Sequence, residues 1–217
     1  LPIQYKKRRK QLTSLNGKVT LSTIEYEWLA KVEIGTPGQT LNLLADSGSP
    51  ETWITTPSCE KCVSENCFDP VESSTFVYNG SEFSMTYIGG GGPEGYFASD
   101  VINLGGIVLV NQSMGFITYS DIMIDADGLL ALGLSALIKD LQTDVGGEIT
   151  FGAIDYSKID GEITYSFLTE DEHWQITVTN VYFNDLPLNL NKSITFPVAF
   201  DTGSQQIMMD GNLAESI

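Results

Sequence analysis

Two stretches of this chain carry the same unusual instruction. LNLLADSGSPETWI at 41–54 and TFPVAFDTGSQQIMM at 195–209 each run an apolar strand into an aspartate, follow it with Ser/Thr-Gly-Ser, and return to apolar residues. A carboxylate is costly to bury unless hydrogen-bond donors surround it, and Ser47, Gly48 and Ser49, like Thr202, Gly203 and Ser204, are residues that can supply them. Asp46 and Asp201 lie 155 residues apart. Each motif follows an aromatic-bearing stretch, EYEWLAKVEI in the first half and EHWQITVTNVYF in the second. Two copies of one supersecondary unit, each presenting a carboxylate, predict a pseudo-twofold molecule in which the carboxylates meet at the axis.

The rest of the pattern is mainly β. TIEYEWLAKVEIGTPGQTLNLLA reads as two antiparallel strands around the Gly35-Thr-Pro-Gly38 turn, and FSMTYIGGGGPEGYFASDVINLGGIVLV as a further hairpin with a glycine-rich tip. GGEITFGAID and ITYSFLTEDEHWQITVTNVYFND continue the period of two. Helix signals are confined to LSALIKDLQ at 134–142 and GNLAESI at the C-terminal end.

Composition narrows the classes of function. At 217 residues with 42% hydrophobic content the chain can fill one large core or two lobes. Its net charge of −17 hides an asymmetry: five of eleven basic residues form KKRRK (Lys6, Lys7, Arg8, Arg9, Lys10), leaving six basic against 28 acidic residues elsewhere. Such a body repels phosphate backbones, so no nucleic-acid partner is expected. The basic run reads as a solvated tail or processing site. GGIVLV and DGLLALGL are the nearest approaches to an apolar span, far short of the roughly 18 to 20 residues a membrane helix needs, so no membrane role is expected.

Three sequons, at Asn79, Asn111 and Asn191, suit a secreted glycoprotein. The three cysteines, Cys59, Cys62 and Cys67, crowd into SCEKCVSENCFDP. A zinc site needs four ligands and the single histidine, His173, is over a hundred residues away. One local disulfide with a spare thiol is expected, with Cys62–Cys67 and Cys59–Cys67 both feasible.

Taken together, DSGSPETW, DTGS, MTYIGGGGPEGYF, DGLLALGL, GGEITFGAID and HWQITV occur in the order found in the pepsin-like aspartic proteases, which the chain resembles over roughly residues 20–209. The resemblance implies a bilobed, mainly β acid-protease fold with a basic tail at 1–17 that looks like a shortened prosegment. It also implies a catalytic lobe with a flap at 18–160, and an incomplete second lobe at 161–217, since only 14 residues follow Gly203. It further implies an endopeptidase that works as a monomer on protein or peptide substrates in a secreted or lysosome-like acidic setting, without a cofactor or metal. Asp46 and Asp201 would share one proton and activate a water. Ser47 and Thr202 would join the loops by hydrogen bonds, Gly48 and Gly203 would let the backbone turn tightly, and Ser49 and Ser204 match the next hydroxyl position. Tyr87 would close over substrate against Trp53, on a tip made mobile by Gly89 to Gly92. One departure is Leu129-Leu130-Ala131, where the family has glycine in the third place; an added methyl there would cost about 1 to 3 kcal/mol if the site cannot relax. The competing expectations are a catalytically impaired pepsin-fold protein that binds peptides, and an unrelated β-rich binding module.

Overall fold

The computed structural model describes residues 17–24, 27–64, 66–88, 90–133, 148–170, 173–183, 186–187, 195–204 and 207–208. KKRRK, both expected helices, Gly89 and Asn191 lie outside them. Thirteen strands account for nearly all regular structure among the described residues: β1 (Gly17–Ile24), β2 (Glu27–Ile34), β3 (Gln39–Asp46), β4 (Trp53–Glu60), β5 (Val77–Ser84), β6 (Pro93–Leu104), β7 (Ile107–Ser120), β8 (Gly128–Ala131), β9 (Glu148–Phe151), β10 (Gln175–Val178), β11 (Tyr182–Phe183), β12 (Leu186–Pro187) and β13 (Phe196–Ala199). Two single 3-10 turns, at Pro70–Glu72 and Tyr156–Lys158, begin at Asp69 and Asp155, whose side chains accept the backbone N–H two residues on. The mainly β expectation is borne out.

Nine strands form one sheet in the order β5-β6-β7-β4-β8-β3-β2-β1-β9. Strand β6 also pairs with β2 through Glu33↔Asn103 and Ile34↔Ile102, so six of the strands close into a ring. Closure gives the sheet an inside, and the residues that alternate inward fill it: Ala30, Val32 and Ile34 from β2, Leu41, Leu43 and Ala45 from β3, with Ile54, Ala98, Met114, Phe116 and Leu130. The edge-to-face contact of Phe68 with Phe116 joins the loop after β4 to this core.

Period two also decides where the first aspartate goes. If Leu41, Leu43 and Ala45 face the ring interior, Leu44 and Asp46 must face the other side of β3. Leu44 there joins a second cluster with Leu29, Trp53, Phe83, Ile117, Leu129 and Ala131, against which Tyr87, Ile122 and Ile124 pack. Asp46 therefore ends its strand beside an apolar floor. Strand β8 runs parallel to β3 and brings Ala131 opposite Asp46. The methyl of Ala131 lies within the second cluster and its N–H donates to Thr52 Oγ1 at 3.1 Å, so the expected crowding at this position is absorbed by packing.

In the second half, β10 pairs antiparallel with β13, the strand that leads to Asp201, as β2 pairs with β3. The stretch 163–168, read from sequence as strand, is not one: Tyr165 and Phe167 are exposed and none of the described strands pairs with it. One local disulfide with a free thiol is present as expected, but the pairing is neither Cys62–Cys67 nor Cys59–Cys67. Cys59 pairs with Cys62, and Cys67 is the free thiol. The backbone decides this: Phe68 N–H donates to Thr55 O, and Ser64 and Asn66 bond the Asp127 carboxylate, which ties the segment bearing Cys67 toward β4 and β8. Burial, with Asp69 and Asp127 nearby, raises the pKa of the Cys67 thiol.

Candidate active site

Each aspartate sits at the mouth of a tight loop and is held by its own backbone. Gly48 N–H donates to Asp46 Oδ1 at 2.7 Å, and Gly203 N–H donates to Asp201 Oδ1 at 2.9 Å. The loops are then joined reciprocally. Ser47 N–H donates to Thr202 Oγ1 at 3.0 Å while Thr202 N–H donates to Ser47 Oγ at 2.9 Å. The same hydroxyls pass their protons on, Ser47 Oγ to Phe200 O at 2.9 Å and Thr202 Oγ1 to Ala45 O at 2.7 Å. Four bonds cross between segments more than 150 residues apart, and each hydroxyl both donates and accepts.

This arrangement stacks each carboxyl group over the other loop's glycine. A Cβ built at Gly48 would lie 2.6 Å from Asp201 Cγ, and one built at Gly203 would lie 2.6 Å from Asp46 Cγ. No side chain larger than hydrogen fits at either place, which is a physical reason for Asp-x-Gly in both halves. The two carboxyl groups thereby come within hydrogen-bonding reach of one another. Their surroundings differ: Asp46 is buried and Asp201 exposed.

Burial pushes the Asp46 carboxyl up from 3.8 to about 6; the Ser49 hydrogen bond opposes the rise, the hydrogen bond and negative charge of Asp201 add to it, and Gly48 opposes it. Ser49 Oγ donates to Asp46 Oδ2, and Tyr87, whose hydroxyl oxygen accepts Trp53 Nε1–H at 2.8 Å, stands close to Ser49. Indole, phenol, hydroxyl and carboxyl thus gather beside the apolar floor. Burial raises the Tyr87 phenol, keeping it a neutral donor throughout the acid and neutral range. Tyr87 stands on the arm between β5 and β6, where Gly90 N–H donates to Tyr87 O at 2.9 Å and Tyr87 N–H to Gly91 O at 3.0 Å.

The sequence-derived residues Asp46, Ser47, Gly48, Ser49, Trp53, Tyr87, Thr202 and Gly203 are all brought together here. Gly90 lies on the tip, and Ser204 N–H closes the second loop onto Asp201 O at 3.4 Å. The cysteines are outside the site. His173 pairs with Glu170 at 2.6 Å, next to Trp174, whose Nε1–H donates to Leu132 O at 2.9 Å. Sequence reasoning missed Asp121, which receives Gly92 N–H at 2.8 Å. A polar residue directly after an apolar strand was the available signal, but it is a common one. Among the described residues no group of three or more His, Cys, Asp or Glu side chains is placed to hold a metal ion.

The family model for eukaryotic aspartyl protease matches residues 27–144 and 135–217. Similar proteins include a vacuolar aspartic protease of Candida albicans, 28% identical over 89% of this chain and 54% of the relative, and rhizopuspepsin-1 of Rhizopus niveus, 28% identical over 94% and 60%. Renin of Rattus norvegicus is 27% identical over 92% of this chain and 58% of its own length. The chain spans about half to three-fifths of the length of the curated relatives it matches.

Proposed function

The chain belongs to the eukaryotic aspartyl protease family, and from that premise we propose that it is an aspartic endopeptidase whose Asp46 and Asp201 together activate a water at acid pH. The observation that carries this reading is the reciprocal stacking of each carboxyl group on the opposite loop's glycine. Two carboxyl groups so close cannot both ionise cheaply, so the pair holds one proton over an acid range, and that proton belongs to the pair. The ionised form takes a proton from the water as it attacks the peptide carbonyl, and the protonated form hydrogen-bonds the carbonyl oxygen. Ser49 and Gly48 then hold the Asp46 carboxyl in place through the cycle, while Tyr87 covers the bound peptide. The reaction so written requires no metal or cofactor.

The substrate is an extended segment of protein or peptide, and a monomer suffices because one chain supplies both carboxyl groups. An acid compartment, secreted or vacuolar, agrees with the raised Asp46 carboxyl and with the name of the Candida albicans relative. Sequons at Asn79 and Asn111 have exposed asparagines and would carry glycans on that route. The basic run at 6–10 would cover the cleft before activation. In the proposed division, 18–160 is the catalytic lobe with its flap and 161–217 the partial second lobe.

The test is cleavage of denatured globin at acid pH. Cleavage is expected to be blocked by a statine-type inhibitor and abolished by Asp46→Asn; undiminished cleavage by that variant would overturn the dyad. The exposure of Asp201 favours one second reading, a peptide-binding protein with impaired turnover. Inhibitor binding without globin cleavage would select it.

A further inference from the structure

The flap-like arm carrying Tyr87 has to be held at a fixed height over the aspartates, yet its tip contains Gly90 and Gly91 at φ +79° and +78°. Two consecutive residues in the left-handed region give the tip its turn but no side chains with which to anchor it. The anchor comes from outside the arm. The β6–β7 ladder ends with Pro93↔Ser120, and continuing that register by one residue sets Asp121 beside Gly92. There Asp121 Oδ1 accepts Gly92 N–H at 2.8 Å, and a Cβ built at Gly91 would lie 2.5 Å from the same oxygen. The carboxylate fills the space against the glycine turn, so only glycine fits at Gly91 while Asp121 stays where it is.

A lysine stands near the same end of β7. Lys61 sits within the turn closed by the Cys59–Cys62 disulfide, at φ +62°, and its Nζ donates to Tyr119 Oη at 3.0 Å while lying 5.0 Å from the centre of that ring. Glu60, its neighbour, pairs with Tyr119 across β4 and β7. The ammonium group is thereby directed toward the end of β7, within the field of Asp121.

Resting on the proposed role of Tyr87, we infer that Asp121 is a positioning residue: it holds the downstream leg of the arm through Gly92 N–H. A charge-assisted bond at the base of a glycine turn sets how often the arm lifts, and so how firmly Tyr87 closes on a bound peptide. The upstream leg is tied differently, by Met85 N–H to Pro93 O and by the Tyr87 hydroxyl, which accepts Trp53 Nε1–H at 2.8 Å.

Amide exchange in the full chain, read by mass spectrometry, tests this without requiring turnover. Asp121→Ala is expected to speed exchange in residues 85–93 about tenfold and leave β2 and β3 unchanged. Asp121→Asn, which keeps an acceptor oxygen, is expected to rescue most of the protection. Where globin or peptide cleavage is measurable, Asp121→Ala raises KM more than it lowers kcat. Unchanged exchange at 85–93 in Asp121→Ala would overturn the inference, as would acceleration spread equally over β2 and β3, which would make Asp121 a general support of the sheet. If wild-type chain cleaves nothing, the endopeptidase reading fails while the exchange result still decides this one.

Discussion

The buried carboxyl of Asp46 makes the molecule's stability depend on pH in an unusual direction. Its pKa, raised from 3.8 to about 6 chiefly by burial, means the folded chain holds a proton that the unfolded chain has already released between those values. Stability conferred by that proton is complete below about pH 4, falls as pH rises to about 6, and is flat beyond. Asp46→Asn removes this dependence. Thermal melting from pH 3 to 8 is expected to show wild type losing up to about 3 kcal/mol relative to Asp46→Asn across that window. Parallel melting curves for the two proteins would mean that the carboxyl titrates normally. Ala131 gives a second prediction at this scale. Because its methyl packs with Leu29, Trp53 and Leu129, replacing it by the glycine found at this place in the family is expected to lower stability by about 1 kcal/mol, measured by urea unfolding; a gain would show that the methyl is crowded after all.

At the scale of elements, two loops of similar sequence become one structure because each lacks what the other supplies. Gly48 leaves the space that Asp201 fills, and Gly203 leaves the space that Asp46 fills. Gly48→Ala is therefore expected to reduce kcat/KM by at least about a hundredfold while the nine-stranded sheet melts nearly as in wild type, since the methyl displaces a carboxyl group of an exposed loop. Thr202→Ser, which keeps the hydroxyl that bonds Ser47 N–H and Ala45 O, is expected to stay near wild type in the same assay. Much of this was legible in the sequence, because the chemistry is local: the Asp-x-Gly loops and the Gly35–Gly38 turn between β2 and β3 are each written within a few residues, whereas the pairing of Tyr87 with Trp53, 34 residues apart, came from the family resemblance. What depends on distant pairing was not. Parallel contacts of β3 with β8 and of β4 with β7 join segments with no shared periodicity, and the position of Asp121 requires the β6–β7 register, which shifts twice. Cysteine spacing left the disulfide open because hydrogen bonds from Ser64, Asn66 and Phe68 decide where Cys67 goes. The apolar pattern of 163–168 suggested a strand, but pattern alone does not provide the partner a strand needs.

Over the whole molecule the two halves are unequal. The first closes a ring of strands over a continuous core; the second has two-stranded pairs and exposes Phe167, Phe200, Ile207 and Met208 among the described residues. Asp201 therefore relies for its position on ties to the first half, which among the described residues include the four bonds that Ser47 and Thr202 make across the loops and the indole of Trp174 donating to Leu132 O. Trp174 also accepts Phe200 N–H on its own carbonyl at 3.0 Å, so one residue links the segment before Asp201 to the residue that follows β8. Trp174→Phe keeps an aromatic ring but removes the pyrrole half of the indole with its N–H, leaving Leu132 O without that donor. Opening free energies in a weakly packed segment are small, so losing one bond of about 1 kcal/mol moves them measurably. Amide exchange in 173–204 is expected to accelerate about fivefold in this variant, with β2, β3 and β7 unchanged and affinity for a statine-type inhibitor reduced in step. If exchange and affinity both hold at wild-type values, the loop bearing Asp201 is held by the four bonds of Ser47 and Thr202 without help from Trp174, and Thr202→Val, which removes two of them, should then loosen it.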